Sequence, residues 1–463
     1  MAKVGADESS VAQHSTELRK DLGLIDLTLT QILFVVGLPW VGVAAKQGTA
    51  HVVLWLAAIT FFYIPSAAVV IHLNRAMPLE GGLYQWAKLR FGEMPGFLVA
   101  WNLWLFTILN TSETGLQVTQ YFGYVVGPRS EWLTSDVRFI GVVNVAIVTA
   151  LVGITIRGLS VGKWVHKAGG VLMLTTFAML IALPWVNLAH GSLREFHALV
   201  MTTPLMTVLS LNIAAKMGFG ALGGFEYVAI HAGECRNPER TIARSVIVAA
   251  PIIALMFILG TSSVLALVPI DRIDLIAPIP QVLAEGFRPF GSATVVASAT
   301  IVALLCIRMA QASVMFAGNT RLPMVAGWDG LLPGWFTRLH ATYQTPVNSI
   351  LFVGAITLAF SLLGLIGVGK QEAFQLLWNA SGIFYGLTYL VMFAIPLADP
   401  RASGWLKAAA ISGFAATLLF VVISILPIVQ VESRFLFAAK ISSVIVIANA
   451  VGVLIFKSAS RRR

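Results

Sequence analysis

Charge is what this chain has least of. Asp, Glu, Lys and Arg together make up 11% of its 463 residues, where a soluble chain carries about 25%. A soluble globular domain is thereby excluded. Cysteine is almost absent: Cys235 and Cys306 fall in different predicted elements, which excludes a disulfide framework and a cysteine-ligated metal site. No cleavable signal peptide is expected, because residues 1–22 are polar and mixed in charge. The net charge of +10 does not indicate a nucleic-acid partner, since the basic residues are spread over short loops and form no stripe.

What is there instead is hydrophobic sequence, 57% of the residues, with a mean hydropathy of +0.84. Apolar runs of about 20 residues, long enough to cross a bilayer, recur along the whole chain. They predict an all-α integral membrane protein of about twelve spans. The spans lie at 24–46, 51–73, 94–126, 137–156, 164–188, 205–230, 245–268, 291–318, 347–367, 373–397, 405–428 and 435–457. An even number puts both termini on one side. Placing them inside assigns about 20 Lys and Arg to inner segments and about 9 to outer ones, so the positive-inside rule places both in the cytoplasm. The terminal Lys457 and Arg461-Arg462-Arg463 fit that orientation as a basic anchor.

Two spans are interrupted. The sixth carries Gly218-Phe219-Gly220-Ala221-Leu222-Gly223-Gly224-Phe225-Glu226. Each Gly costs about 1 kcal/mol against Ala in a helix interior, and an ionised Glu near the bilayer centre costs at least a few kcal/mol more. Such a stretch survives where its freed backbone groups line a binding cavity. The alternative is a close helix–helix contact with Glu226 buried as a neutral acid. The first span carries Val36-Gly37-Leu38-Pro39-Trp40-Val41-Gly42, where Pro39 removes a donor and clashes with the preceding turn. The breaks are five spans apart, and interrupted segments in equivalent positions of two halves point to a transporter site. The expected organisation is a tail at 1–22, a first five-span repeat at 23–190, an inverted second repeat at 191–400, two further spans at 401–458 and a basic tail at 459–463. No residue-level repeat between the halves is visible.

The loops carry pattern as well. In Asn74 to Gly92, Leu83, Trp86, Ala87 and Arg90 fall at helical spacing beside Lys88, which predicts a short amphipathic helix on the membrane surface. Asp271 to Phe287, with Pro278 and Pro280, reads either as a lid over the outer mouth or as a long loop.

Three motifs in order resemble those of the amino acid–polyamine–organocation (APC) transporters, amino acid permease branch, over essentially the first ten spans. Pro78-Leu79-Glu80-Gly81-Gly82-Leu83-Tyr84 with Phe91-Gly92 is similar to the family's Pro-x-x-Gly-Gly-x-Tyr…Phe-Gly. Gly224-Phe225-Glu226 with Glu234-Cys235-Arg236-Asn237-Pro238-Glu239-Arg240-Thr241-Ile242 is similar to Gly-Phe-Glu…Glu-x-x-Asn-Pro-x-Arg-x-Ile. Arg321, Asp329-Gly330-Leu331-Leu332-Pro333 and Thr345-Pro346 resemble the loop after span eight.

The resemblance implies the leucine-transporter-like 5+5 inverted repeat, with broken helices 1 and 6 clamping an amino acid by alternating access. The implied substrate contacts are Val36, Gly37, Leu38, Pro39 and Trp40, facing Phe219, Gly220, Ala221, Leu222, Gly223 and Gly224. Physics agrees: a half-helix N-terminus carries about +0.5 charge and orphan N–H groups that suit a carboxylate. A half-helix C-terminus offers carbonyls to an ammonium.

The chain also departs from the family. Gly37-Leu38-Pro39-Trp40 stands where relatives have Gly-Ser/Thr-Gly-Ile, so no hydroxyl helps the carboxylate. Gly220 stands where many hold a bulky aromatic, so either Phe219 takes over the gate or the pocket admits a larger side chain. Met173 stands where many hold a lysine in span five, which puts their proton-coupling site in doubt.

Four charges fall within spans and are functional candidates by default. Glu226 either takes up a proton during transport or makes a fixed hydrogen bond. Lys216 either pairs with Glu113 or meets a substrate carboxylate, favouring acidic or neutral ligands. Arg308 either supplies a fixed positive charge between spans one and eight in place of sodium, or pairs with Glu226. On span three, Thr107, Asn110 and Thr111 share a helical face, as interhelical glue or as ligand contacts. Trp40, Phe219 and Phe225 are gate candidates.

The expected function is a sodium-independent secondary transporter of amino acids in the cytoplasmic membrane, working by proton symport or by exchange, with the lipid bilayer as its surroundings. The alternatives are a polyamine or organic-cation permease, which Lys216 and Arg308 would repel, and an amino acid sensor that does not translocate. No enzyme, cofactor or metal site is expected: the acids at 226 and 234 bracket no nucleophile, and no metal or phosphate motif is present.

Overall fold

The computed structural model describes residues 20–126, 132–133, 136–275, 277–291, 293–363, 370–427 and 433–461. Every named element among them is helical. Among the described residues, eight helices are long and apolar enough to cross a membrane: Gly48–Ala76, Val137–Arg157, Val161–His190, Pro238–Leu267, Ser298–Gly327, Leu376–Ala398, Gly404–Ile423 and Arg434–Ser460. The third span is Glu93–Ser112 continued, past a kink at Glu113, by Thr114–Val126. The ninth is Val347–Leu363. The first and sixth are short because they are broken, which completes the twelve. Outward-facing residues such as Val142, Ile247, Leu255, Val302 and Val446 are large, apolar and exposed, as contact with lipid requires. Most of the tail at 1–22 and the end of the basic tail lie outside the described residues.

Span five presses against spans one and eight through Gly169 and Gly170. A Cβ on Gly169 would lie 2.3 Å from the Ala310 Cβ, and one on Gly170 would lie 3.0 Å from the Leu29 carbonyl. Met173, one turn on, is fully buried in the apolar core.

One loop expectation changes, and the second loop contains a helix. The helix Leu83–Phe91 forms, but Leu83 through Lys88 are all buried, so it packs into the bundle and does not lie on a membrane surface. Its partner explains why: Lys88 Nζ bonds Asp329 Oδ1 at 2.7 Å, and the Tyr84 hydroxyl donates to the same carboxylate. The stretch after Asp271 forms a helix, Pro278–Phe287, whose apolar face is buried. It sits directly on the second half of span one, where a Cβ on Gly42 would lie 2.7 Å from Pro278.

The three sequence motifs meet at one end of the bundle. Glu80 of the first accepts from the Gly233 N–H beside the second at 2.6 Å. Glu234 of the second bonds Arg321 of the third at 2.5 Å and His231 Nδ1 at 2.7 Å. Asp329 of the third closes the ring back to Tyr84 and Lys88 of the first. Leu22 joins the same end through hydrogen bonds with Glu234 O and Arg236 N, each at 3.1 Å. Asn237 makes the local turn possible: it takes a left-handed φ of 51°, tolerated by Asn, and Pro238 starts the seventh span at the favoured first position.

Candidate functional site

The first break is built by Pro39. The helix Leu24–Val35 stops, residues 36–39 lie outside both helices, and Trp40–Ala45 restarts it. Carbonyls freed at this stop are not left bare: Gln311 Nε2, on span eight, donates to Leu33 O at 2.9 Å and to Val36 O at 2.8 Å.

The second break is staged. The helix Val208–Ala215 widens into a π-helical turn, Lys216–Gly220, a feature frequent at functional sites. Residues 223–226 are non-helical, and the chain resumes as the 3₁₀ helix Tyr227–Glu234. Gly224 has φ +136°, which side-chain-bearing residues rarely adopt. Its N–H donates to the Tyr389 hydroxyl at 2.7 Å and its carbonyl accepts from Gln31 Nε2 at 3.4 Å. A Cβ there would lie 2.7 Å from the Phe34 ring, so the two breaks touch.

Between them lies a cavity of about 90 Å³. Of the expected contacts, Gly37, Leu38, Pro39 and Trp40 line it from the first break, and Phe219, Gly220 and Gly223 from the second. Asn110 lines it from span three, and Lys216 and Arg308 face it as well. Val36, Ala221, Leu222 and Gly224 belong to the breaks but are not part of the lining. Thr107 and Thr111 do not line it either: the Thr107 hydroxyl donates to its own Leu103 carbonyl at 3.1 Å, and Thr111 is buried among helices. Phe225 is no gate of this cavity, being stacked on Tyr63 with centroids 4.6 Å apart.

Trp40 resolves the question at Gly220. Its indole occupies the space that a side chain at 220 would need: a Cβ on Gly220 would lie 2.7 Å from Trp40 Cη2, and one on Gly37 would lie 2.5 Å from Trp40 Cδ1. The pocket is therefore not enlarged at Gly220; an aromatic from span one fills that place, 5.5 Å from the Trp378 ring. Phe219 packs beside it against Phe62, Tyr385, Tyr389 and Phe420.

The charge pairings also differ from expectation. Arg308 pairs with Glu113, Nη2 to Oε1 at 2.7 Å, and not with Glu226. Glu113 is fully buried at the kink of span three and is held further by Gln117. Lys216 therefore does not pair with Glu113; its ammonium donates to Asn379 Oδ1 at 3.1 Å. Glu226 accepts from the Tyr385 and Tyr389 hydroxyls of span ten. The group lying between spans one and eight is the neutral Gln311 amide, and Arg308 points to span three.

Sequence reasoning missed the walls from the later spans: Trp378, Asn379, Ser381, Gly382 and Tyr385 on span ten and Phe420 on span eleven. It also missed Phe34, Val35, Phe106, Gln117, Gln311 and Met315. A signal was present on span ten, where Asn379, Ser381, Tyr385 and Tyr389 interrupt an apolar run, the last three at helical i, i+4 steps.

A family model described as amino acid permease matches residues 22–456. An uncharacterized transporter of Legionella pneumophila is 23% identical over 389 residues, covering 81% of this chain and 80% of its own. A branched-chain amino acid permease of Bacillus subtilis is 23% identical over 387 residues, covering 78% of this chain and 80% of its own. A chloroplastic cationic amino acid transporter of Arabidopsis thaliana is 24% identical over 339 residues, covering 66% of this chain and 54% of its own. Among solved structures, MhsT in complex with L-phenylalanine superposes with a TM-score of 0.62 at 15% identity, covering 91% of this chain and 99% of that one. That likeness shows the fold: the leucine-transporter-like arrangement with helices 1 and 6 broken.

Proposed function

Because the chain belongs to the amino acid permease family, we propose that it is a secondary active transporter of amino acids that works by alternating access around the cavity between its two broken spans. The observation that carries this reading is the cavity itself. Two unwound segments face each other across it, each ending a half-helix. Half-helix ends supply the donors and acceptors that an α-carboxylate and an α-ammonium require. The substrate contacts in this reading are the lining residues at 37–40, 219, 220 and 223, with Asn110 and the span-ten wall beside them.

The transporter is sodium-independent in this reading. Gln311 already donates to the Leu33 and Val36 carbonyls, which are the acceptors a cation between spans one and eight would use. Coupling is by proton symport or by exchange with internal amino acid. Glu226 is the candidate for the proton, since its carboxylate joins the span-six break to Tyr385 and Tyr389 and a change in its charge would be felt at the break. The residence is the cytoplasmic membrane with both termini inside, on the distribution of Lys and Arg. The repeats divide near residue 190, and spans eleven and twelve stand outside the pseudo-symmetry. A carrier of polyamines is disfavoured by the ammonium of Lys216 in the cavity wall.

Uptake of labelled amino acids into proteoliposomes, under imposed proton or sodium gradients and with or without internal amino acid, tests the reading. Flux of at least one amino acid is expected. Stimulation by a proton gradient marks symport, and dependence on internal amino acid marks exchange. Stimulation by sodium overturns the role given to Gln311, and full pH-dependent uptake by Glu226→Gln removes the proton from Glu226. Binding without flux would make the protein a sensor.

A further inference from the structure

We infer that the substrate is an amino acid with a second acidic group, and that Lys216 with Asn379 is the recognition pair for that group. The inference rests on the transport reading and deepens it by naming the substrate class.

Lys216 stands at the start of the π-helical turn, is 2% exposed and lines the cavity. Among the described residues it has no ion-pair partner; its one hydrogen bond goes to Asn379 Oδ1 at 3.1 Å. An ammonium can only donate, so Asn379 must turn its oxygen to Lys216, and this leaves its NH₂ on the other side. That nitrogen, Nδ2, is buried and has no partner among the described residues. The pair therefore offers donors alone: the remaining ammonium N–H groups and the amide N–H. An array of donors fits a carboxylate and rejects an ammonium or an amide's N–H face.

Charge counting points the same way. The other cation of the lining, Arg308, is already balanced by Glu113 at 2.7 Å. Glu226 is not part of the lining, and both of its oxygens are taken by Tyr385 and Tyr389. Trp40, Phe219 and Phe420 contribute aromatic surface to the same lining. The lining thus holds one unbalanced positive charge. A neutral zwitterion, with its α-groups on the two breaks, leaves that charge buried and unpaired, which is costly. A dicarboxylic amino acid carries one net negative charge at neutral pH and balances it.

The test compares each acid with its own amide, so that size and α-groups are held constant. Purified full-length protein in proteoliposomes is assayed with glutamate against glutamine and aspartate against asparagine, by uptake and by mutual competition. The wild type is expected to favour the acid by on the order of tenfold or more, the worth of one charge-assisted hydrogen bond. Lys216→Gln is expected to bring the ratio close to one by removing the advantage of the acid. Asn379→Asp, which sets a carboxylate beside Lys216, is expected to abolish the preference as well, and serves if the lysine variant does not fold. A wild type that carries glutamine or alanine as well as glutamate overturns the inference and leaves transport standing. A Lys216→Gln variant that loses acidic and neutral substrates equally also overturns it, because Lys216 would then hold the α-carboxylate. Absence of flux for every amino acid overturns the transport reading itself.

Discussion

Gly220→Ala should damage this protein out of proportion to the one methyl it adds. Its Cβ would lie 2.7 Å from Trp40 Cη2 and 3.0 Å from Cζ2, where ordinary contact begins at 3.4 Å, so the indole must retreat by 3.4 − 2.7 = 0.7 Å. A side-chain tip can usually yield that much, but this one is blocked. Gly37 lies against its other end, with a built Cβ 2.5 Å from Cδ1, and Trp378 stands 5.5 Å away. Overpacking of a tight core costs about 1–3 kcal/mol, which corresponds to roughly 5- to 150-fold in an equilibrium constant. Thermal unfolding in detergent reads the stability share of that loss, and the KM for uptake reads the share taken by the cavity. Trp40→Phe in the same chain shortens the ring system and should recover most of the loss. The single variant Trp40→Phe should be milder than Gly220→Ala. The reasoning fails if Gly220→Ala unfolds and transports like the wild type, or if Trp40→Phe worsens it additively.

Arg308→Met should cost about 3–5 kcal/mol, because it leaves Glu113 buried without its partner; Arg308→Met with Glu113→Gln should regain most of that in the same unfolding assay, and equal losses would refute the pairing. Gln311→Ala should make uptake responsive to sodium by leaving the Leu33 and Val36 carbonyls unpaired, which uptake with and without sodium decides. Glu80, in the loop after span two, should make stability fall as pH rises. Burial above all, then the charge of Glu234, raises its carboxyl well above the usual range, against the pull of Arg321 and the Gly233 N–H. A carboxyl whose folded value is raised binds its proton more tightly in the native state, so stability declines above the unfolded value of about 4.5 by up to about 1.4 kcal/mol per pH unit. Glu80→Gln should flatten that slope in melting curves taken between about pH 5 and 8, and superimposed curves would refute it.

The breaks were legible because backbone chemistry announces them. Four glycines and a carboxylate at 218–226, and a proline at 39, cannot sit in an unbroken helix without a reason. The twelve spans were legible because a bilayer imposes their length. Partners were not. Arg308 and Glu113 are 195 residues apart, and the nearer candidate by motif, Glu226, is claimed by tyrosines of span ten. Trp40 and Gly220 each looked like a separate departure from the family pattern; only their contact shows that one compensates the other. The helical spacing of Leu83, Trp86, Ala87 and Arg90 beside Lys88 reads as a surface helix. Lys88 and Tyr84 in fact turn inward to Asp329, and a buried ion pair has the same sequence pattern as a solvated one.

In the alternating-access reading proposed above, opening the end of the bundle that carries Leu22 would have to part the bonds that close it. These join Arg321 to Glu234, Lys88 to Asp329, and Leu22 to Glu234 and Arg236. The two ion pairs are buried, so releasing either group without water exposes a charge to low dielectric. Glu234 marks the strength of the hold: burial alone would raise its carboxyl, yet Arg321 and His231 keep it down at about 2. It stays ionised through the physiological range, and the Arg321 pair cannot be loosened there by protonating Glu234. Glu80 is the opposite case, a carboxyl held toward its neutral form against the Gly233 N–H. The two carboxyls of this end are thus held in opposite states, Glu234 ionised against Arg321 and Glu80 toward neutral beside Gly233.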